Sequence, residues 1–524
     1  MKKIIIPILL CFFWYSGSGN AKERESMKLR ILITTDMHGW LSTSLVYPNQ
    51  KRKGLLHLEE FINKARRQNP DLIFLDGGDL LQGSPLVHFY NQNVDKPVQN
   101  NPFFTLVNTL RYDAIAVGNH DLEISPLFEK EYVGNSNFPW LAANVKRQGK
   151  LLFTPYKILH RQGIKIAILG FTTPGSLMWL SEGQLSGMEI EPLVESAKFW
   201  IREVERKEAP DVVIGLIHAG VNMVRDDEIS KLNRIPQVNN VREVAEEVHG
   251  FHLIITGHDH RLIPSKTSQK IPRISGTPVI EGGHWAEALT DVEIKYQKKD
   301  DQFSVTSIKA KIHRAAQDAQ IDREYQTSLS QEFMDFLFEP LPWIVDKTNK
   351  KEASLCFNYL NAIAQVEDKI DGALLPEISV KGIRSITGKP LKRVDLFRWF
   401  KYDNRAVIVK LSERDIELLQ NPRPLFGSRS IPYNRKLFSW LKEPLHESSN
   451  HWLLSGKQLI RDKQVLISNY HMNGGGGIIP GIFVNEKNIV QHQSKLLRDK
   501  LFEFLKNPPK KSFKSCSFLQ FQQS

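Results

Sequence analysis

The chain has 524 residues, enough for two to four domains at roughly 100–200 residues each. Hydrophobic residues make up 41% and charged ones 24%, a globular balance that excludes an intrinsically disordered chain. The net charge of +12 suits anionic substrates or surfaces, and equally a plain basic, soluble surface.

Residues 1–21 read as a secretory leader. Lys2 and Lys3 precede an apolar run from Ile4 to Tyr15, and small residues end at Ala21. The run is too short for a transmembrane helix of about 20 residues. No later span is long enough either, so stable membrane insertion is not expected. The expected location is exported, periplasmic or extracellular. Leu10 before Cys11 is too bulky for a usual lipobox, so no lipid anchor is expected. The mature chain keeps Cys356 and Cys516, too far apart for a disulfide framework.

In chain order, Leu29–Thr35 is an apolar strand ending at Asp36-Met-His38. Gly54–Arg67 has helical spacing, with Leu55, Leu58, Phe61 and Ile62 on one face. Leu72–Leu75 is a strand, followed by the glycine turn Asp76-Gly-Gly-Asp79. Pro102–Leu110 is a short helix. Asp113–Val117 is a buried strand running into Gly118-Asn119-His120-Asp121. Tyr156–Gly170 alternates around Arg161-Gln-Gly163 and reads as a hairpin. Pro192–Lys207 and Val241–Val248 are helices. Val212–Ile217 ends at His218, and Leu253–Thr256 runs into Gly257-His258-Asp259-His260. Val279–Ile280, Asp291–Tyr296 and Val305–His313 are closing strands. Helices alternating with short buried strands, then strand pairs, predict a layered α/β domain with some antiparallel sheet. Residues 315–345 read as a helical linker, with Phe333, Phe336 and Leu337 on one face. A second domain follows over residues 346–505. It has a helix near Ala353–Gln365, a strand at Arg405–Leu411 and a glycine-rich loop at Asn473–Gly477. Residues 506–524 form a basic tail, expected to be disordered.

The chemistry lies at five strand ends. Asp36, His38, Asp79, Asn119, His218, His258 and His260 each follow an apolar strand in or beside a glycine turn. In open α/β sheets, ligands gather at the carboxyl ends of strands. One histidine so placed is commonly just packed or hydrogen-bonded; five ligand-bearing strand ends together point to a metal centre. Asp79 can bridge two cations, with Asp36, His38 and His260 completing one site and Asn119, His218 and His258 the other. Mixed nitrogen and oxygen ligands suit Zn, Mn, Fe or Co better than calcium. Two such cations about 3.5–4 Å apart clamp a phosphoryl oxygen and activate a water. His57, His88, His252 and His471 lack this placement and read as packed residues. His284 reads as loop or pocket lining.

Asp36-x-His38, Gly78-Asp79, Gly118-Asn119-His120-Asp121, His218 and Gly257-His258-x-His260 together resemble the calcineurin-like metallophosphoesterases. The layout and leader look like the bacterial 5′-nucleotidase and 2′,3′-cyclic-nucleotide phosphodiesterase group. The resemblance implies a four-layer metallophosphoesterase sandwich over residues 28–314, two divalent metals, and a smaller α+β nucleotidase-like second domain that binds the nucleoside. It also implies a catalytic role for His120, oriented by Glu123.

In the second domain the likeness loosens. The family's Asn-Gly-Gly-x-x-Arg loop corresponds to Ser379-Val-Lys-Gly-Ile-Arg384, without the Asn-Gly-Gly. Phe400-Lys-Tyr402-Asp-Asn404 resembles a Tyr-Pro-Asn segment of the cyclic phosphodiesterase branch. Ser468-Asn-Tyr470-His-Met-Asn473 opens a stretch resembling its Asn-Tyr-Arg-x-x-Gly-Gly segment, with His471 in place of Arg. The resemblance implies that Tyr402 and Tyr470 sandwich a base, with Asn404 and Asn473 beside them.

The expected function is a secreted two-metal phosphohydrolase that cleaves phosphate esters of nucleotides by metal-activated hydroxide. The alternatives are another phosphomonoesterase, a nucleotide-sugar pyrophosphatase, or a non-catalytic nucleotide-binding protein. The expected partner is a nucleotide or another phosphate ester, and not a nucleic acid polymer. Protein partners are not indicated.

Overall fold

Leu29, Ile31 and Ile33 point to one face of the first strand and Leu32 to the other, so both faces must be covered. The computed structural model meets that demand with four layers: helices, sheet, sheet, helices. It describes residues 27–47, 53–93, 95–180, 182–221, 238–265, 270–299, 302–316, 318–327, 329–345, 372–374, 389–400, 403, 405–410, 464–468, 489–507 and 519–521.

The main elements run in order β1 (Met27–Thr34), α1 (Leu56–Gln68), β2 (Ile73–Asp76), α2 (Pro85–Gln92), α3 (Pro102–Thr109), β3 (Ala114–Ala116), a single turn α4 (Asn119–Leu122) and β4 (Trp140–Leu141). Then come β5 (Tyr156–Arg161), β6 (Ile164–Thr172), α5 (Leu193–Glu208), β7 (Val212–His218), α6 (Val241–Glu247), β8 (Leu253–Thr256), β9 (Leu262–Ile263), β10 (Thr277–Gly282), β11 (Ala288–Lys299) and β12 (Gln302–Arg314). The first sheet has the order β12-β11-β1-β2-β3-β4 and the second β9-β10-β8-β7-β6-β5. Pairs β1–β2, β2–β3, β6–β7 and β7–β8 are all parallel, so their carboxyl ends share an edge within each sheet.

Three clusters mark the layers. Leu32 and Phe74 pack under the helices of the first sheet. Ile31, Leu75, Ile166 and Ile214 fill the space between the sheets. Ala167, Leu169, Ala197, Ile201 and Val244 pack the second sheet against α5 and α6. Short helices start where the sequence supplies caps. Ser84 Oγ accepts from Val87 N at 3.4 Å with Pro85 following, and Asn101 Oδ1 accepts from Phe103 N at 3.1 Å before Pro102.

The stretch 315–345, expected as one helical linker, holds two helices, α7 (Ala319–Gln326) and α8 (Gln331–Phe338), and then a strand, Pro340–Val345. Ser330 caps the second and thereby separates them. Phe333 and Leu337 are buried as the spacing predicts, with Phe336 packed partly buried alongside. After that strand lie α9 (Arg393–Trp399), α10 (Leu497–Lys506), and a four-stranded sheet. That sheet runs Gly372–Leu374, Gln464–Ser468, Arg405–Lys410, Ile489–Leu496. The leader, the Ala353–Gln365 helix, the three cysteines, and Tyr402, Asn404, Tyr470 and Asn473 lie outside the described residues. The tail expected to be disordered is described in part: Lys506 ends α10, and Leu519–Phe521 is a strand pairing antiparallel with Trp343–Val345, whose backbone groups it satisfies. Among the described residues no helix is long and apolar enough to cross a membrane.

Candidate metal centre

β1, β2 and β3 of the first sheet deliver Asp36, Asp79 and Asn119. β7 and β8 of the second deliver His218, His258 and His260. The turns after these strands are held in strained backbone. Asp36, His38, Asp79, His258 and His260 all have φ between 49° and 81°, a region non-glycine residues rarely enter. The surroundings enforce it. Asp36 N donates to Gly78 O at 2.9 Å, His38 N to Asp79 O at 2.9 Å, and His258 N to Asp36 Oδ1 at 3.0 Å. Gly118 is needed for space, because a Cβ there would collide with Asp79.

Two groups of side chains converge. Asp36, His38 and His260 offer ligand atoms within 4.8 Å of one another, and so do Asp79, His218 and His258. His38 Nε2 is 3.0 Å from His260 Nε2, and His260 Nε2 is 3.5 Å from Asp36 Oδ1. In the second group, Asp79 Oδ2 is 3.2 Å from His218 Nε2, while Asn119 Oδ1 is 3.2 Å from His218 Nε2 and 2.9 Å from His258 Nδ1. The same Asp79 Oδ2 is 4.0 Å from His38 Nε2. Asp79 therefore faces both groups.

The far nitrogens of two histidines are tied down. His38 Nδ1 donates to Gln82 O and His218 Nδ1 to Gly77 O, each at 2.7 Å. A carbonyl only accepts, so in neutral His38 the Nε2 facing the site carries a bare lone pair. Burial pushes His38 down to about 4 and His258 to about 3, and it depresses His260 as well. Burial also lifts Asp36 to about 7. His218 differs: burial opposes its charge, but Asp79 outweighs burial and raises it to about 9. Lone pairs and carboxylates aimed at one another in a buried space are the donor set of a cation, which would take the place of the His218 proton.

His120 stands beside these groups, its ring 5.3 Å from that of His38. Its Nδ1 is 3.0 Å from Glu123 Oε1. Burial opposes its charge, yet Glu123 and then Asp79 lift it to about 10.

The pattern of residue types leaves out three features. Asp121 does not face His120; its carboxylate accepts from the amides of Asp79, Leu80, Leu81 and Gly118 at 2.9–3.0 Å. Gln82 Nε2 donates to Glu123 Oε2 at 3.0 Å. His284 stacks on His260 with ring centroids 5.2 Å apart, and its Nδ1 is 3.2 Å from the His260 carbonyl oxygen. The Asp in Asn-His-Asp was the one available signal for the first of these.

Residues 29–262 match the calcineurin-like phosphoesterase family. That part of the chain is a calcineurin-like phosphoesterase domain. The family carries a dinuclear metal centre, in keeping with the two groups of ligand atoms. The chain is similar to a trifunctional nucleotide phosphoesterase of Bacillus subtilis, 29% identical over 311 residues, which are 55% of this chain and 21% of that one. It is also similar to a 2′,3′-cyclic-nucleotide 2′-phosphodiesterase/3′-nucleotidase of Yersinia enterocolitica, 27% identical over 313 residues, 55% of this chain and 46% of the relative. The chain thus spans less than half the length of these curated relatives. A solved structure from Staphylococcus aureus, described as a candidate 5′-nucleotidase, superposes with a TM-score of 0.69 at 19% identity. It covers 92% of this chain and 97% of its own, so the shared fold extends past the calcineurin-like phosphoesterase domain.

Proposed function

We propose that the chain is an exported, two-metal phosphohydrolase acting on phosphate esters of nucleotides, of the 5′-nucleotidase or 2′,3′-cyclic phosphodiesterase/3′-nucleotidase kind. The observation that carries this reading is Asp79, a single buried carboxylate facing two sets of ligand atoms, with the His120–Glu123 pair alongside. Asp36, His38, His260 and Asp79 would hold one cation, and Asp79, Asn119, His218 and His258 the other. The mixed donors suit Mn, Zn, Fe or Co. When bound, such a pair polarises a phosphoryl oxygen and lowers the pKa of water.

The chain's own residues do the rest. Glu123 accepts from His120 Nδ1 and leaves Nε2 to donate to the transferring phosphoryl group or the departing oxygen. Asp121 fixes the loop that carries Asp79. In this reading residues 28–314 form the catalytic unit, residues 315–345 connect it, and residues 346–505 hold the nucleoside between Tyr402 and Tyr470.

The test is hydrolysis of p-nitrophenyl phosphate with added Mn or Zn, then a screen of 5′-, 3′- and 2′,3′-cyclic nucleotides. Turnover of one nucleotide class well above the artificial ester is expected. No turnover from protein carrying two metals per chain would leave a binding protein instead. In the Tyr402→Ala and Tyr470→Ala variants, the ratio of kcat/KM for nucleotide over p-nitrophenyl phosphate should fall about five- to 150-fold, the worth of one base–aromatic stack.

A further inference from the structure

Glu123 follows a helix of a single turn, which by itself cannot fix a side chain with three rotatable bonds. Both carboxylate oxygens are nevertheless engaged. Oε1 is 3.0 Å from His120 Nδ1, and Oε2 accepts from Gln82 Nε2 at 3.0 Å. The main-chain oxygen of Glu123 accepts from the side-chain amide of Gln184. Gln82, Glu123 and Gln184 are all buried. Gln82 works in two directions at once, because its main-chain oxygen accepts from His38 Nδ1 at 2.7 Å. The loop it belongs to is fastened to the same helical turn a second time, through the amides of residues 79–81 on Asp121.

We propose that Gln82 is a positioning residue of the phosphoester reaction: its side-chain amide locks the Glu123 carboxylate against His120, while its main chain orients His38. This rests on the phosphohydrolase reading. The residue type fits the task. A primary amide brings two N–H donors and no charge. A glutamate there would set one carboxylate against another, and an aliphatic side chain would leave Glu123 Oε2 buried and unpaired.

The two directions can be separated by substitution. Gln82→Met keeps the length and the main-chain oxygen but removes the donor. The His38 contact and metal content should therefore stay as in wild type. The Glu123 contact should go.

The experiment is a double-mutant cycle of Gln82→Met and Glu123→Gln in metal-loaded full-length protein. It is read by kcat, KM, metal per chain, and the ¹⁵N–¹H imidazole spectrum of histidine-labelled protein. Gln82→Met should lower kcat about three- to thirtyfold with KM within about twofold, and cost less than about twofold in the Glu123→Gln background. The His120 Nδ1–H signal should move in Gln82→Met. A cost that is equal in the two backgrounds, or an unmoved His120 signal in a folded, metal-loaded variant, would overturn the proposal. A wild type inactive on every phosphoester would reject the phosphohydrolase reading, while the His120 signal would still decide whether Gln82 positions Glu123.

Discussion

Asp79 is the residue on which two ligand sets meet, so its loss should be felt at both. Asp79→Ala is expected to abolish hydrolysis and lower metal content below one per chain; elemental analysis still finding two would end the bridging role. His120→Ala removes no ligand. It should keep both metals and lose roughly 10²–10⁴ in kcat, the usual worth of a general acid. Glu123→Gln should lose less, because the imidazole remains. Near-normal turnover in the His120 variant would take it out of the mechanism. Asp, Asn and His after apolar strands made this centre legible, since those types have few other uses at five strand ends together. Asp121 and Gln82 were not legible. Each acts by reaching across some forty residues to a backbone amide or a carboxylate, a pairing that follows from the packing of two loops and leaves no periodic trace.

Elements are legible in the sequence where one force decides them. Residues 192–207 show an apolar stripe against a charged face, and α5 occupies 193–208. The spacing after β12 predicts one helical connection; its division into α7 and α8 turns on a single cap at Ser330, and its end, Pro340–Val345, is a strand. What fastens α7 is polar and was likewise not visible in the spacing. Asp322 accepts from Ser44 Oγ, and its Oδ1 is 3.1 Å from His57 Nε2, which also lies 3.1 Å from Ser42 Oγ. All four residues are buried. His57 thus fits its reading as a packed residue, in a hydrogen-bonded network. Asp322→Ala leaves Ser44 and His57 with lost partners in a dry place, a cost of about 1–3 kcal/mol. Amides of α7 should then exchange faster than those of α8. Equal protection of α7 in variant and wild type would mean that apolar packing alone holds it.

At the scale of the whole molecule, the sheets that carry the candidate ligands meet the second half of the chain through a buried ionic cluster. His88 on α2 lies 3.4 Å from Asp499 through Nε2 and 3.7 Å from Asp403 through Nδ1. Arg498 Nη2 approaches His88 Nδ1 at 3.0 Å and Asp403 Oδ1 at 2.5 Å. Phe336 of α8 and Phe397 of α9 close the cluster with apolar rings. The charge relations give opposite pH limbs. Burial opposes ionisation of Asp403 and Asp499, but Arg498 and His88 outweigh it and hold both carboxyls below the usual range. Their stabilisation is complete above an unfolded pKa of about 3.9 and is lost as pH falls through the depressed folded values. For His88, burial and Arg498 push down, yet Asp499 and Asp403 win and raise it. Its stabilisation is complete below about 6.5 and is lost as pH rises through the raised folded value. The contact should therefore be strongest between about pH 4 and pH 6.5 and weaken on the alkaline side as the imidazole loses its proton. Other histidines titrate in the same range, so the measurement is a difference. The melting temperature of wild type minus that of His88→Gln, followed from pH 5.5 to 9, should shrink steadily, because the glutamine cannot carry the charge whose loss is being read. A difference that stays constant over this range would mean that His88 is neutral throughout and that Arg498 alone pairs with the two carboxylates.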